Sequence, residues 1–283
     1  MLEEVHNFPK YFKLLGRNQE PAFAMWRFRK LNYASQSETV EAKEIMHAKK
    51  TVAILQSNYI PWKGYFDLIN SVDEFILLDD VQYTRRDWRN RNIIKTAHGL
   101  HWLTIPVINN DYHQKIKDTK ISDRKWAEKH WRTIQQFYSN APFFSLYRQD
   151  FEELYIGLKE ENLSKINFAF IQKINKLLGI KTRISWSEDY EPEEGKVNRL
   201  ISLVKQVGGT DYLSGPAAKS YIDEQQLIDA GLNLHWAVYS GYPEYHQLYP
   251  PFHHQVSVLD LLFNEGPTAP KFMKSFSGNK LYA

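Results

Sequence analysis

The sequence predicts an α/β protein: a three-layer, mostly parallel, Rossmann-like sheet carrying a helical insertion. Three observations carry that prediction. Short apolar runs rich in branched residues alternate with stretches of helical periodicity. The first two runs, Thr51–Gln56 and Glu74–Asp80, enclose one helical stretch within 30 residues, a βαβ spacing that makes the two strands parallel. A long helical segment, about 123–178, then separates the early strands from the late ones.

Taken in order, residues 1–50 read differently from the rest. Ser35–Glu44 is polar, and the apolar positions before it keep no clear period, so this part is expected to be an appended helical arm or an upstream extension of the natural protein. The α/β domain is placed at 51–283. Thr51–Gln56 reads as a buried strand, bounded by a loop containing Pro61 and Gly64; Tyr65, Phe66, Leu68, Ile69 and Val72 then recur at helical spacing. Glu74–Asp80 is the second buried strand and ends in two carboxylates. A basic stretch, Tyr83–Lys95, precedes a further strand at Leu100–Val107. The helical segment breaks at Asn140-Ala-Pro142 and near Asn162–Ser164, and Gly179 closes it as a C-cap glycine should. Arg183–Ser187, Asp211–Ser214 and Leu232–Tyr239 are further strands, with helices over Val197–Val207 and Val256–Phe263.

Composition narrows the function classes. A hydrophobic content of 43% supports an ordinary core. The absence of cysteine excludes disulfides, thiolate zinc sites and cysteine nucleophiles, and suits a reducing cytoplasm. No stretch approaches the ~20 apolar residues of a membrane span, so no membrane insertion is expected. Met1–Lys10 carries two acids and lacks the apolar core of a signal peptide. A net charge of +3 is too small to imply a nucleic-acid partner by itself.

Ligands of open parallel sheets bind outside the carboxyl ends of the strands, and two segments sit there. Gln56–Tyr65 brings amides, a hydroxyl, aromatic rings and a lysine just before a helix N-terminus, which favours phosphate; the plainer reading is a tight turn shaped by Pro61 and Gly64, with Trp62 capping the core. Asp79 and Asp80 end an apolar strand and are candidates for a metal, a general base or a sugar hydroxyl, or else for loop capping. Beside them, Tyr83, Arg85, Arg86, Trp88, Arg89, Asn90, Arg91, Asn92 and Lys95 combine phosphate-matching guanidinium groups with rings able to stack a base or sugar, or form a solvated charged face. RNA contact fits the same residues. Later, Ser214, Gly215 and Lys219 lie at and beyond a strand end, a candidate place for Lys219 to meet a phosphate, though Gly208-Gly209 before that strand reads equally well as a helix C-cap and turn. Tyr245–Tyr249 with His253-His254 is rich in groups able to accept protons; His246 is the candidate base, near Tyr249, and a metal site at the histidine pair lacks a third ligand, the plainer reading of the pair being structural. No nucleophile elbow, P-loop, dinucleotide fingerprint or zinc-protease helix is present.

Gln56-x-Asn58-Tyr59-x-Pro61-Trp62-x-Gly64-Tyr65-Phe66, Leu78-Asp79-Asp80-Val81-Gln82-Tyr83 and Arg86-x-Trp88-x-Asn90-Arg91-Asn92 resemble the WbqC-like protein family. Trp102–Pro106, Tyr212–Pro216 with Lys219, Gln247–Tyr249 and Leu259–Phe263 extend the resemblance, which runs from about Thr51 to Gly266. It implies a place in bacterial surface polysaccharide (O-antigen) synthesis, with attachment of an amino acid such as glycine to the amino group of a nucleotide-linked amino sugar. ATP or an aminoacyl-tRNA would be the acyl source, and Mg is a candidate cofactor. A strand, Pro-x-x-Gly loop and helix also resemble the layout of nucleotidylyltransferases and class I aminoacyl-tRNA synthetases, but those carry histidines where this chain has Trp62 and Tyr65.

On the residues themselves, the expected division of labour is as follows. Arg85, Arg86, Arg89 and Arg91 hold the nucleotide diphosphate, and Tyr59, Trp62 and Tyr65 pack the sugar. Asp79 or Asp80 orients or deprotonates the sugar amine, while Gln56 and Asn58 donate to the developing oxyanion. The alternatives are a nucleotidyl- or glycosyltransferase on a nucleotide sugar, and a non-catalytic nucleotide-sugar or RNA-binding protein.

Overall fold

The computed structural model describes residues 49–278 together with 281 and 282; the expected N-terminal arm falls on residues outside these. In chain order the elements are β1 (Thr51–Leu55), α1 (Lys63–Asn70), β2 (Glu74–Leu77), β3 (Arg91–Thr96), β4 (Gly99–Thr104), β5 (Val107–Ile108), β6 (Lys120–Ile121), α2 (Trp126–Tyr138), α3 (Phe144–Glu152), α4 (Leu163–Leu178), β7 (Arg183–Trp186), α5 (Lys196–Gln206), β8 (Asp211–Ser214), α6 (Glu224–Asp229), β9 (Asn233–Trp236) and α7 (Val258–Glu265).

Five strands form one parallel sheet in the order β7-β2-β1-β8-β9. Successive strand side chains point to opposite faces, and in the central strands β1, β2 and β8 both faces are apolar, so these three feed two cores. Val52, Ile54, Ile76 and Tyr212 join Leu200, Leu203 and Val204 of α5 and Leu227 of α6. Ala53, Phe75, Leu77 and Leu213 join Phe66 and Ile69 of α1, Ile171 and Ile174 of α4, and Leu259 and Leu262 of α7. Helices therefore cover the sheet on both sides, giving the three-layer α/β architecture. The helix α4 starts on the Asn162 side chain, which accepts from the Lys165 N–H, and ends at Gly179 with φ 75°.

Winding reverses between β1 and β8, and the crevice at such a reversal is where doubly wound sheets hold ligands. Off the sheet, part of the basic stretch is a strand: β3 pairs antiparallel with β4 through the two-residue turn Ala97-His98, from Arg91↔Thr104 to Thr96↔Gly99. The strand expected over Leu100–Val107 divides around Pro106, with Val107-Ile108 pairing β6 instead.

Candidate functional site

The loop leaving β1 is held from several directions. The buried Tyr59 ring lies edge-on to Trp126 and Phe170, and its hydroxyl bonds with His130 Nδ1 (2.9 Å) and the Tyr155 hydroxyl (2.7 Å). Its N–H donates to the Trp88 carbonyl at 3.1 Å. The Asn92 amide, from β3, donates to the carbonyls of Tyr59 and Ile60, each at 3.0 Å. Ile60 is thereby kept at φ 36°, a conformation that costs a β-branched residue energy. The chain then presents the Trp62 indole, which stands edge-on to Tyr239 (5.3 Å) and Tyr242 (5.7 Å). Gly64 makes that pose possible: a Cβ there would lie 2.3 Å from the indole.

The two carboxylates after β2 diverge, as neighbours on an extended chain do. Asp79 is buried; its Oδ1 accepts the Ser57 N–H at 2.8 Å and its Oδ2 accepts the Ser164 hydroxyl. Burial pushes its carboxyl above the ordinary range, while the Ser164 and Ser57 donors pull it back. The Asn167 amide extends the network to the Ser57 hydroxyl (3.1 Å) and the Arg89 carbonyl (2.8 Å). Asp80 accepts from Arg199 at 2.7 Å and from the Ser187 hydroxyl at 2.6 Å. Both carboxylates tie elements together, and neither lines the groove described next.

Two adjoining cavities open at the carboxyl end of β1. One, of about 230 Å³, is lined by Asn58, Pro61, Trp62, Trp88, Asn92 and Gln255. The other, of about 340 Å³, is lined by Trp62, Tyr239, Ser240, Gly241, Tyr242, His254 and Gln255. Trp62 and Gln255 belong to both, so the two are lobes of one groove with a shared wall. The second lobe reaches β8, because the Tyr239 hydroxyl lies 3.8 Å from where a Cβ on Gly215 would stand. The groove therefore sits at the reversal of the sheet.

Lys63 lies against this second lobe. It is only 2% exposed, donates to the Pro243 carbonyl at 3.2 Å, and holds its ammonium 4.9 Å from the Tyr242 ring and 5.1 Å from that of Tyr245. Burial lowers its pKa to about 8 against the opposing pull of Asp67 and Asp260. His254 is pushed below its ordinary value, first by burial and then by the Lys63 charge, with Glu244 opposing. Its Nδ1 is buried with no hydrogen-bond partner.

The other residues singled out in the sequence divide into supports and surface groups. Tyr65 is a core residue whose hydroxyl donates to the Gln56 carbonyl at 3.1 Å; with Tyr59 it backs the loop and does not line the groove. Tyr83 is buried, and the Asn90 amide donates to the Ile105 carbonyl at 2.8 Å. Of the arginines, Arg89 turns inward to Asn58 and Asp87, while Arg85 and Arg86 are exposed. Arg91 lies over the Trp102 ring at 4.2 Å and donates to the Arg86 carbonyl. Of the four arginines expected to hold a diphosphate, Arg89 is the one whose partner, Asn58, belongs to the β1 loop. Lys95 is buried with its pKa lowered by burial, and donates to the Pro251 carbonyl. Ser214 is buried at the end of β8, and its carbonyl accepts the Ala237 N–H at 2.8 Å. The exposed Lys219 sits 5.3 Å from the Trp236 ring. The Tyr249 hydroxyl donates to the Phe137 carbonyl at 2.9 Å, and His246 is exposed, its N–H donating to Glu265 at 3.1 Å.

Sequence reasoning did not assign Tyr239, Tyr242 or Gln255, and it noted Lys63 only as a phosphate-favouring lysine and His254 only within a histidine pair able to accept protons. Tyr239–Tyr242 follows the end of β9, so the strand-end rule already pointed there. Among the described residues no helix is long and apolar enough to cross a membrane, and no group of three or more His, Cys, Asp or Glu is placed to hold a metal ion.

These features define a doubly wound α/β protein with an amide- and aromatic-lined groove at its switch point. The chain belongs to the WbqC-like protein family, whose sequence profile matches residues 56–272. A protein of Mycobacterium tuberculosis (strain ATCC 25618 / H37Rv), "Uncharacterized protein Rv1507c", is 48% identical over 226 residues, covering 80% of this chain and 98% of its own. No solved structure matches the chain.

Proposed function

We propose that this protein is a cytoplasmic enzyme of bacterial surface polysaccharide (O-antigen) biosynthesis that attaches an amino acid such as glycine to the amino group of a nucleotide-linked amino sugar. The observation that supports this reading is the pair of lobes joined along Trp62 and Gln255. Group transfer needs donor and acceptor held side by side with their reacting atoms in contact, and a divided groove offers that arrangement. The amino sugar lies in the first lobe against Trp62 and Trp88, whose flat apolar faces suit a pyranose, with Asn58 and Gln255 meeting its hydroxyls. The activated amino acid lies in the second.

In the chemical step the neutral sugar amine attacks the acyl carbon. A C–N bond forms, the bond to the phosphate or tRNA oxygen breaks with its electron pair, and one proton leaves the amine. The carboxylates expected for that proton are engaged elsewhere, Asp79 with Ser57 and Ser164, Asp80 with Arg199 and Ser187. His254 takes the role: it lines the second lobe, and burial with the Lys63 charge favours its neutral, proton-accepting form. Gln255, on the shared wall, donates to the developing oxyanion.

The test is to incubate the purified chain with amino-sugar nucleotides, glycine and Mg-ATP, or with glycyl-tRNA, and to follow the mass of the nucleotide sugar. A glycylated product is expected. No product with any donor, or release of pyrophosphate or free nucleoside diphosphate in its place, would overturn the assignment, the latter in favour of nucleotidyl or glycosyl transfer.

A further inference from the structure

Beside the first lobe the β3–β4 hairpin and the loop leading into it carry aromatic surface that folding leaves partly uncovered. Trp88 and Trp102 are 41% and 42% exposed, and their rings lie 5.4 Å apart at 32°. The Arg91 guanidinium rests 4.2 Å from the Trp102 ring, so Trp102 has two flat neighbours, a guanidinium and an indole. β4 is exposed from Gly99 through Trp102, so much of this surface stays open to solvent beside Arg91 and Trp88. Large exposed rings standing together are unusual on a surface and mark contact with something else. The surrounding charge says what. Arg91 lies on the Trp102 ring and donates to the carbonyl of the exposed Arg86, whereas Asp87 is engaged by Arg89 at 3.3 Å and by the Trp88 N–H at 2.7 Å. Stacking faces set among arginines suit a flat, polar-edged group attached to phosphate. A neutral sugar has no use for the cations, and an apolar peptide would strand them.

We propose that Trp88, Trp102 and Arg91 form the nucleoside end of the substrate site, stacking the base of the nucleotide-linked sugar while Arg86 and Arg91 meet its phosphates. Trp88 also lines the first lobe, so a substrate whose base lies on the hairpin enters the groove sugar-first, past Trp88 toward Trp62 and Gln255. This assignment rests on the nucleotide-sugar reading above and extends it to a second surface. It also gives the two exposed indoles a reason to stand together, since stacking on an aromatic ring serves any base.

Binding to the full chain would be followed by tryptophan fluorescence and calorimetry with UDP, GDP and dTDP as probes, alongside uridine and a short single-stranded RNA. At least one nucleoside diphosphate is expected to bind and quench the indole emission. Trp102→Ala and Trp88→Ala each weaken it roughly ten- to hundredfold, Trp102→Phe restores most of the affinity, and Leu100→Ala on the same strand leaves it unchanged. Uridine binds more weakly than UDP, and Arg91→Ala narrows that difference. In turnover, the tryptophan variants raise KM for the nucleotide sugar more than they lower kcat. Glycyl transfer with an unchanged KM in the Trp88→Ala/Trp102→Ala double variant would overturn the base site while leaving the reaction standing. Failure of the reaction alone would show as Trp102-dependent UDP binding without product. Trp102-dependent capture of RNA with no binding of any mononucleotide would also overturn the assignment.

Discussion

A single methyl group at position 64 separates the groove from the stability of the fold. In Gly64→Ala the added Cβ would stand 2.3–2.7 Å from three atoms of the Trp62 indole, distances at which one of the two must move. Gly64 has an ordinary φ and lies in the first turn of α1, so the backbone accepts alanine; the partly exposed indole is what yields. Its displacement breaks two edge-on contacts, with Tyr239 and Tyr242, together about 1–3 kcal/mol. Alanine in a helix returns about 1 kcal/mol relative to glycine. The net cost is therefore about 0–2 kcal/mol, and Tm falls by less than ~8 °C at ~2–4 °C per kcal/mol for a domain of this size. The wall shared by the two lobes is lost outright, so glycyl transfer should fall by at least ~100-fold, the penalty for reactants misplaced by about an ångström. Thermal unfolding and the product assay on the same preparation read both quantities. A Gly64→Ala protein with wild-type turnover would refute the claim that Trp62 organises the site.

Further expectations follow from His254, Lys63 and Asp79. His254→Gln should keep nucleotide binding and lose roughly 10²–10⁴ in kcat. Because the base acts in its neutral form and His254 lies below its ordinary value of 6.5, the acid limb of the wild-type rate profile should have its midpoint below pH 6.5; a higher midpoint would remove His254 from the role. Lys63 titrates near 8 in the folded chain against 10.5 when free, so between those values the unfolded chain binds more protons and stability rises with pH. Denaturant unfolding at pH 7 and 9.5 should show a smaller rise in Lys63→Met, and an equal rise would contradict the burial of the ammonium. Asp79→Asn turns one acceptor into a donor facing the Ser57 N–H or the Ser164 hydroxyl, at about 1–3 kcal/mol of stability. Lost turnover at an unchanged Tm would instead return Asp79 to the chemistry.

The sheet was legible because its strands are buried on both faces. Thr51–Leu55 and Glu74–Leu77 read as continuous apolar runs, and no competing pattern overlays them. The β3–β4 hairpin was not, for the opposite reason. Arg91, Asn92 and Lys95 interrupt β3, its apolar Ile93 and Ile94 are adjacent and do not alternate, and its turn is Ala97-His98 without an Asn-Gly signal. Gly99, at φ 101°, was the remaining clue that the chain doubles back there. The site was legible to the extent that it follows strand ends. Gln56–Gly64 lies where the rule for parallel sheets puts ligands, and Trp62 is its centre. Adjacency misled at Asp79-Asp80, since consecutive side chains of an extended segment face apart, one toward Ser57 and the other toward Arg199. Lys63 and His254 come together only through the tertiary fold, which no local pattern encodes.

The conformation of Ile60 joins these observations. A fully buried, β-branched residue at φ 36° costs about 1–3 kcal/mol, and a chain free to relax would leave that region. It is kept there by the Asn92 amide on two successive carbonyls, by the Tyr59 hydroxyl network, and by the Tyr59 N–H on Trp88. An ordinary turn between a strand and a helix needs none of this. What the strained turn achieves is the placement of Trp62 across Gly64 and between the two lobes, with Trp88, just before the hairpin, tied to the same loop through its own carbonyl. Asn92 serves that arrangement twice, lining the first lobe while its amide holds the loop. The energy stored at Ile60 is thus coupled to the position of the groove wall, so relaxing this turn would move Trp62 and change the shape of both lobes.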